Sequence, residues 1–409
     1  MKGPILLGII LAALCKVELK LTKDISKGLY YVETSIGSSN FSTSAAIDLS
    51  GLFLVVPCYY SHTESKDIYL PYLSNSSKYK EKADNCKLEA FGQGLKQELC
   101  ELTLEILPGQ KVILNEFNDK IKLGDVLFDS TFLCIENIET YLSIQKNAVL
   151  GLGPNSLILN EICQRRSLPK RLYFDFAPDK GEMWIGVHYS KSGPSIIKLE
   201  KETNKYLFTI NSIAFSNRTN TTAIIVASDF YLDSNSRYSF LTTQNYFSLT
   251  RDLKSLLGQS VTSEKHGSRD CFVVPKLDGL KNFPDLVLKF TDEAEKIWKP
   301  SEYFEKISEK LYCIGILPSF TNTLGMNFLQ GKKLLIDLKE STLEFLENPP
   351  QETNSIKPKV DSNTTLIIFI CICVILLQIA IGYHFLNKNR GPPQLQPPNI
   401  PVSPLDISY

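Results

Sequence analysis

Between Lys16 and Pro349 the chain alternates short apolar runs with breaks made of Gly, Asn, Ser and Pro. GLYYVETSIG, KVILNEF, GEMWIGVHY, KYLFTINSIAF and KLLIDLKESTLEFLE have strand length and are rich in Val, Ile, Tyr, Phe and Leu. Branched and aromatic side chains pack well on a pleated, half-buried surface, so these runs predict strands. Helical spacing is brief, and LILNEICQRR, QNYFSLTRDLKSLL and PSEYFEKISEKL predict short surface helices. The pattern as a whole predicts an all-β chain.

Two longer apolar stretches break this rhythm. MKGPILLGIILAALC has one Lys before an apolar run of signal-peptide length, and the small residues Ala13 and Cys15 suit cleavage after Cys15. TLIIFICICVILLQIAIGYHFL, residues 365–386, is long enough to cross a bilayer and has no acidic or basic side chain apart from His384. Lys388 and Arg390 follow at once, which places the C-terminus in the cytoplasm. The expected order is a signal peptide at 1–15, a lumenal bulk at 16–349, a polar stalk at 350–364, a C-terminal transmembrane helix at 365–386 and a Pro-rich cytoplasmic tail at 387–409. That is a single-pass type I membrane protein of the secretory pathway (endoplasmic reticulum, Golgi or cell surface), with its bulk lumenal or extracellular.

Acceptor triplets at Asn40, Asn75, Asn217, Asn220 and Asn363 lie among polar residues and are candidate glycosylation sites. Cys58, Cys86, Cys100, Cys134, Cys163, Cys271 and Cys313 would mostly pair in an oxidising compartment, and their odd number leaves one free or intermolecular.

Composition narrows the function classes. The chain has 409 residues, 43% of them hydrophobic, which is ample for a sizeable core. Lys and Arg number 44, as do Asp and Glu, and no basic patch is interleaved with aromatics, so nucleic acid is not an expected partner. There is no CxxC and no Cys/His cluster, hence no expected metal or cofactor. GLGPNSL lacks the Lys-Ser/Thr ending of a phosphate loop. His62, His188 and His266 are isolated, and no Ser/His/Asp or Cys/His arrangement competes for catalysis.

Candidate chemistry sits in AAIDLSGLFLVVPC, where Asp48 lies between two apolar runs. A lone buried carboxylate is costly, so such a group is usually paired, capped or catalytic. DFYLDSNSRYSFLTTQNYFSL repeats the unit far downstream: an apolar strand delivers Asp233 to Ser234-Asn235-Ser236, and a second apolar strand follows. Two such units suggest two halves of one duplicated architecture, each offering one carboxylate. The plainer alternative is that both are turn residues at strand ends.

These units, in this order, resemble the pepsin-like (A1) aspartic proteases, and the likeness runs from about Gly28 to Pro349. AAIDLSGLFLVVP resembles the first active-site loop, with Pro57 nine residues after Asp48. AFGQG resembles the tip of the flap, with Phe91, Gly92 and Gly94, and NAVLGLG resembles the hydrophobic-Gly segment beneath that loop. Asp233-Ser234-Asn235-Ser236 resembles the second loop, and Leu324-Gly325 the second hydrophobic-Gly position. The membrane anchor resembles plasmepsin V-like members.

The resemblance implies a bilobal fold, with an N-terminal lobe at 16–192 and a C-terminal lobe at 193–349. It implies a Cys271–Cys313 bridge, a monomer, and an extended peptide or protein substrate. It also implies an Asp48/Asp233 dyad supported by Ser50, Ser234 and Ser236. The departures are Leu49 where the family has Thr or Ser, Ser50 and Asn235 where it has Gly, and Val55 where it often has Trp. Ser50-Gly51 also permits a register in which Leu49 takes the carboxylate position. Two functions follow: a membrane-anchored aspartic endopeptidase, or an inactive relative that binds peptides or serves as a scaffold.

Overall fold

The structure is a computed structural model that describes residues 16–350, apart from 59–68, 70, 72–73, 75, 80–99, 108–109, 137–146, 190–195, 202, 217–222, 259–260, 268, 275–278 and 292–293. The predicted segments 1–15 and 365–409 lie outside the described residues, as do most of the stalk, the flap residues Phe91, Gly92 and Gly94, and the acceptors Asn75, Asn217, Asn220 and Asn363. No helix among the described residues is long and apolar enough to cross a membrane.

The chain begins with β1 (Val17–Asp24), where Val17, Leu19 and Leu21 are buried and Glu18, Lys20 and Thr22 are exposed. That alternation fits a strand with one face on the core. β2 (Leu29–Ile36) pairs back on it, and β3 (Phe41–Asp48) pairs with β2. The end of β3 reads Ala45-Ala46-Ile47 and is buried on both faces, which explains its unbroken apolar character.

β4 (Leu54–Pro57) and β5 (Ala148–Gly151) complete the first half of the site. β5 lies between its neighbours, parallel to β3 with Asp48 opposite Gly151, and antiparallel to β4. Gly151 is needed because a Cβ there would come within 2.6 Å of the Gly51 and Phe53 backbones. α1 (Leu157–Arg166) follows, and Ser156 caps it, its Oγ accepting from Leu159 N while donating to Gly151 O.

The second half repeats the plan. β6 (Leu207–Phe215) pairs with β7 (Ile225–Leu232), and β8 (Ser239–Thr242) leads into α2 (Thr243–Leu257). β9 (Asn322–Leu324) then enters between β7 and β8, parallel to the first and antiparallel to the second. Here Gly325 is the point of close approach, since a Cβ would lie 2.1 Å from Tyr238 O.

A shared sheet joins the halves. Strands Ile196–Lys198, Thr342–Leu346, Lys333–Asp337, Arg171–Asp175 and Gly181–Ile185 run in that order to β1, within a 14-stranded sheet among the described residues. β6 to β9 belong to a seven-stranded sheet, and a four-stranded sheet lies beyond it. Buried side chains from both halves form one apolar cluster.

Cys271 and Cys313 are bonded, facing each other on adjacent strands, and Cys58 is bonded to Cys134. Cys100 is also in a disulfide, and Cys163 is free and buried.

One expected helix is corrected. In PSEYFEKISEKL only Pro300–Tyr303 is helical, and Phe304–Lys306 turns into a strand paired with Leu311–Ile314. Tertiary contacts decide this: Phe304 packs against Phe272 and Phe283, while Glu305 is held by Arg237, Arg269 and the Tyr238 hydroxyl.

Candidate active site

Asp48 is the last residue of β3, and its carbonyl accepts from Leu152 N at 2.7 Å. Ser50 donates twice to Asp48 Oδ1, from N and from Oγ, at 2.7 Å each. Asp233 stands just beyond β7, where its N donates to Leu324 O at 3.0 Å. Its Oδ1 accepts from Asn235 N at 2.9 Å. Each carboxylate therefore closes a turn by accepting the N–H two residues on, a local bond that Asp side chains favour.

The two turns touch. Ser234 Oγ accepts from Leu49 N at 3.1 Å and donates to Ile47 O at 2.7 Å, and both bonds are buried. Leu49 thus occupies the place that mirrors Ser234, and Asp48, the residue before it, lies within electrostatic reach of Asp233. Leu49 is fully buried (0% exposed) and offers no hydroxyl in return, so the clasp between the halves is made from one side.

Burial, followed by the charge of Asp48, pushes the Asp233 carboxyl up to about 6. The N–H groups of Asn235 and Ser236 and the Lys205 charge act in the opposite direction. Two carboxyls that feel each other in this way separate their proton affinities, so one can hold a proton while the other is ionised.

Of the other expected loop residues, Ser236 turns its Oγ to Tyr238 O, so it braces the turn without its side chain touching a carboxylate. Val55 is half-buried and packs with Phe53, Leu114, Leu133 and Ile135. Asn40 is exposed in a turn. A cavity of about 410 Å³, lined in part by Lys23, Ile25, Arg237, Glu302, Glu305 and Gln330, includes neither carboxylate.

Solved structures share this fold. Basic 7S globulin from soybean superposes with a TM-score of 0.61 at 16% identity, covering 81% of this chain and 94% of that one. Conglutin gamma, a basic 7S globulin from lupine seeds, gives 0.62 at 15% identity, covering 81% and 95%. The fold is pepsin-like. Residues 205–347 match the family described as Xylanase inhibitor C-terminal. Plasmepsin V of Plasmodium falciparum (isolate 3D7) is 31% identical over 83 residues, which is 20% of this chain and 14% of that relative. The chain therefore matches only a small part of the length of plasmepsin V.

Pepsin-like sequence patterns gave no warning of two nearby groups. Tyr206, buried at the start of the second half, donates from its hydroxyl to Leu152 O at 2.7 Å and so ties the halves beside the Asp48 turn. Its neighbour Lys205 places a cation within electrostatic reach of Asp233. KYLFTINSIAF signals only a strand, and nothing in that run reveals that its first two residues reach the site.

Proposed function

We propose that the chain is a membrane-anchored aspartic endopeptidase that hydrolyses peptide bonds of secretory-pathway proteins through Asp48 and Asp233. The observation that carries this reading is the meeting of two matching carboxylate turns, clasped by Ser234, with Asp233 raised to about 6.

In this reading, a water between the carboxyls loses a proton to the ionised member as its oxygen attacks the peptide carbonyl carbon. The protonated member donates to the carbonyl oxygen, giving a tetrahedral gem-diol. Collapse breaks the C–N bond and transfers a proton to the leaving nitrogen. Burial and the Asp48 charge favour a proton on Asp233 in the mildly acidic range, and the two carboxyls act as one coupled pair. The substrate lies extended beneath the flap segment of Phe91, Gly92 and Gly94. The apolar run at 365–386 supplies the anchor, the leader at 1–15 the entry, and exposed Asn40 is a glycan acceptor on the lumenal side. The acting unit is a monomer.

The test is cleavage of a mixed peptide library by the full chain in detergent, from acidic to neutral pH, beside Asp48→Ala and Asp233→Ala. Turnover that vanishes in both variants is expected, and turnover that survives in either would overturn the dyad.

One observation favours a second reading, a cleft that binds peptides without cutting them. The Leu49 side chain gives nothing to the clasp, while Ser50 and Asn235 add side chains where the family keeps Gly. Saturable binding of a statine peptide by a chain that shows no turnover would select this reading.

A further inference from the structure

β7 brings more than Asp233 to the site. Tyr231, in β7, precedes Asp233 by two residues, and both are half-buried while Leu232 between them is buried, so the two lie on the same side of the chain, about 7 Å apart. The Tyr231 hydroxyl lies 3.2 Å from Thr321 Oγ1. Lys205 Nζ sits over the Tyr231 ring, 4.0 Å from its centroid, a geometry that favours a cation. The Lys205 backbone is pinned, its carbonyl accepting from Thr203 Oγ1 at 2.5 Å and from Leu207 N at 2.9 Å.

The charges around this ledge are unbalanced. Asp229, two residues further back on the same face, is occupied by Thr209 Oγ1 at 2.9 Å. Lys205 forms no ion pair among the described residues and reaches Asp233 only through its field. Burial alone would push the Tyr231 phenol up, but hydrogen bonds with Thr321 and Thr323 and the Lys205 charge outweigh it and bring the pKa below its ordinary value. That response marks a place favourable to negative charge. Phe320, 99% exposed beside Thr321, gives the ledge an apolar rim.

We propose that Lys205, with the hydroxyls of Tyr231 and Thr321, forms a subsite for an acidic side chain within two residues of the bond presented to the carboxylates, so that the peptides taken are acidic-flanked. An extended peptide advances by the same step as β7, which brings a Glu or Asp at that distance over the ledge while the backbone stays at Asp48 and Asp233. The inference rests on the cleft proposed above, but not on hydrolysis taking place there.

The experiment uses the full chain and peptides that differ only by Glu or Gln at each position within two residues of the cut. kcat/KM for Glu over Gln is expected to be about tenfold at one such position at low salt. The ratio is expected to fall to about one in Lys205→Gln and to shrink at high salt. Each ratio is internal to one variant, so a general loss of activity does not imitate the effect.

The same peptides, with statine replacing the cleaved bond, are measured by equilibrium binding. A chain that does not cleave, yet binds Glu over Gln in a Lys205-dependent way, overturns hydrolysis and upholds the subsite. A ratio near one at every position overturns the subsite, whether or not the chain cleaves. Selectivity that survives in Lys205→Gln, or no binding of either peptide, does so as well.

Discussion

Asp233 ties the stability of the fold to one proton. Its raised pKa means that the fold prefers the neutral carboxyl, so between about 4 and 6 the native state binds more protons than the unfolded chain. The sign follows: this residue's contribution to stability is fully present at low pH, is lost as pH climbs to about 6, and is constant above. Asp233→Asn keeps the shape and removes the charge. Urea midpoints for this variant should lack the decline across that range, with a gain on the order of 2 kcal/mol over the parent at neutral pH. Under the proposed mechanism, activity in the parent should fall as pH rises through about 6, where the native Asp233 carboxyl loses its proton. A difference between parent and variant that stays constant across the interval would show that Asp233 does not titrate with a raised pKa. Burial outranks the Asp48 charge among the causes, so removing Asp48 should reduce the shift without abolishing it.

At the scale of elements, the two crossings of β5 and β9 hold the carboxylate turns at a fixed spacing, and each depends on a glycine. At Gly325 the obstacle is the Tyr238 carbonyl, which belongs to the backbone and cannot swing aside as a flexible side chain could. Gly325→Ala should therefore cost about 3 kcal/mol and loosen the Asp233 turn, since Asp233 N is bonded to the neighbouring Leu324 O. A thermal melt within a degree of the parent would refute this contact.

Elements of this kind were legible because local signals agree with tertiary demand: Ala45-Ala46-Ile47 is apolar because both its faces are buried, and NAVLG ends in Gly because nothing larger fits. The repeated Asp units also pointed to Asp48 and Asp233 from sequence alone. PSEYFEKISEKL misled because its spacing is helical, whereas Glu305 is drawn into a strand by two arginines distant in sequence. The one-sided clasp and the approach of Lys205 were illegible for a related reason. Both arise where segments far apart in the chain meet, and no window along the chain contains both partners.

On the scale of the whole molecule, the halves cannot be separated by cutting one connection. Strand Arg171–Asp175 from the first half pairs along its full length with Lys333–Asp337 from the second. Ser234 and Tyr206 add bonds across the seam near the carboxylates. Within the shared sheet, Arg171 Nε donates to the buried Asp337 Oδ2 at 2.7 Å. Asp337 Oδ1 meanwhile accepts from Lys339 N and Glu340 N.

Arg171→Met would leave that buried carboxylate with backbone donors but no counter-charge, at a cost of about 3 kcal/mol. Because the damaged sheet belongs to both halves, calorimetry should show one cooperative transition moved to lower temperature. A small transition splitting off while the rest melts unchanged would contradict this. The expectation follows from topology. The proposed dyad needs two carboxylates from distant parts of the chain at constant separation, and strands shared by both halves hold that separation more firmly than the Ser234 and Tyr206 bonds alone could.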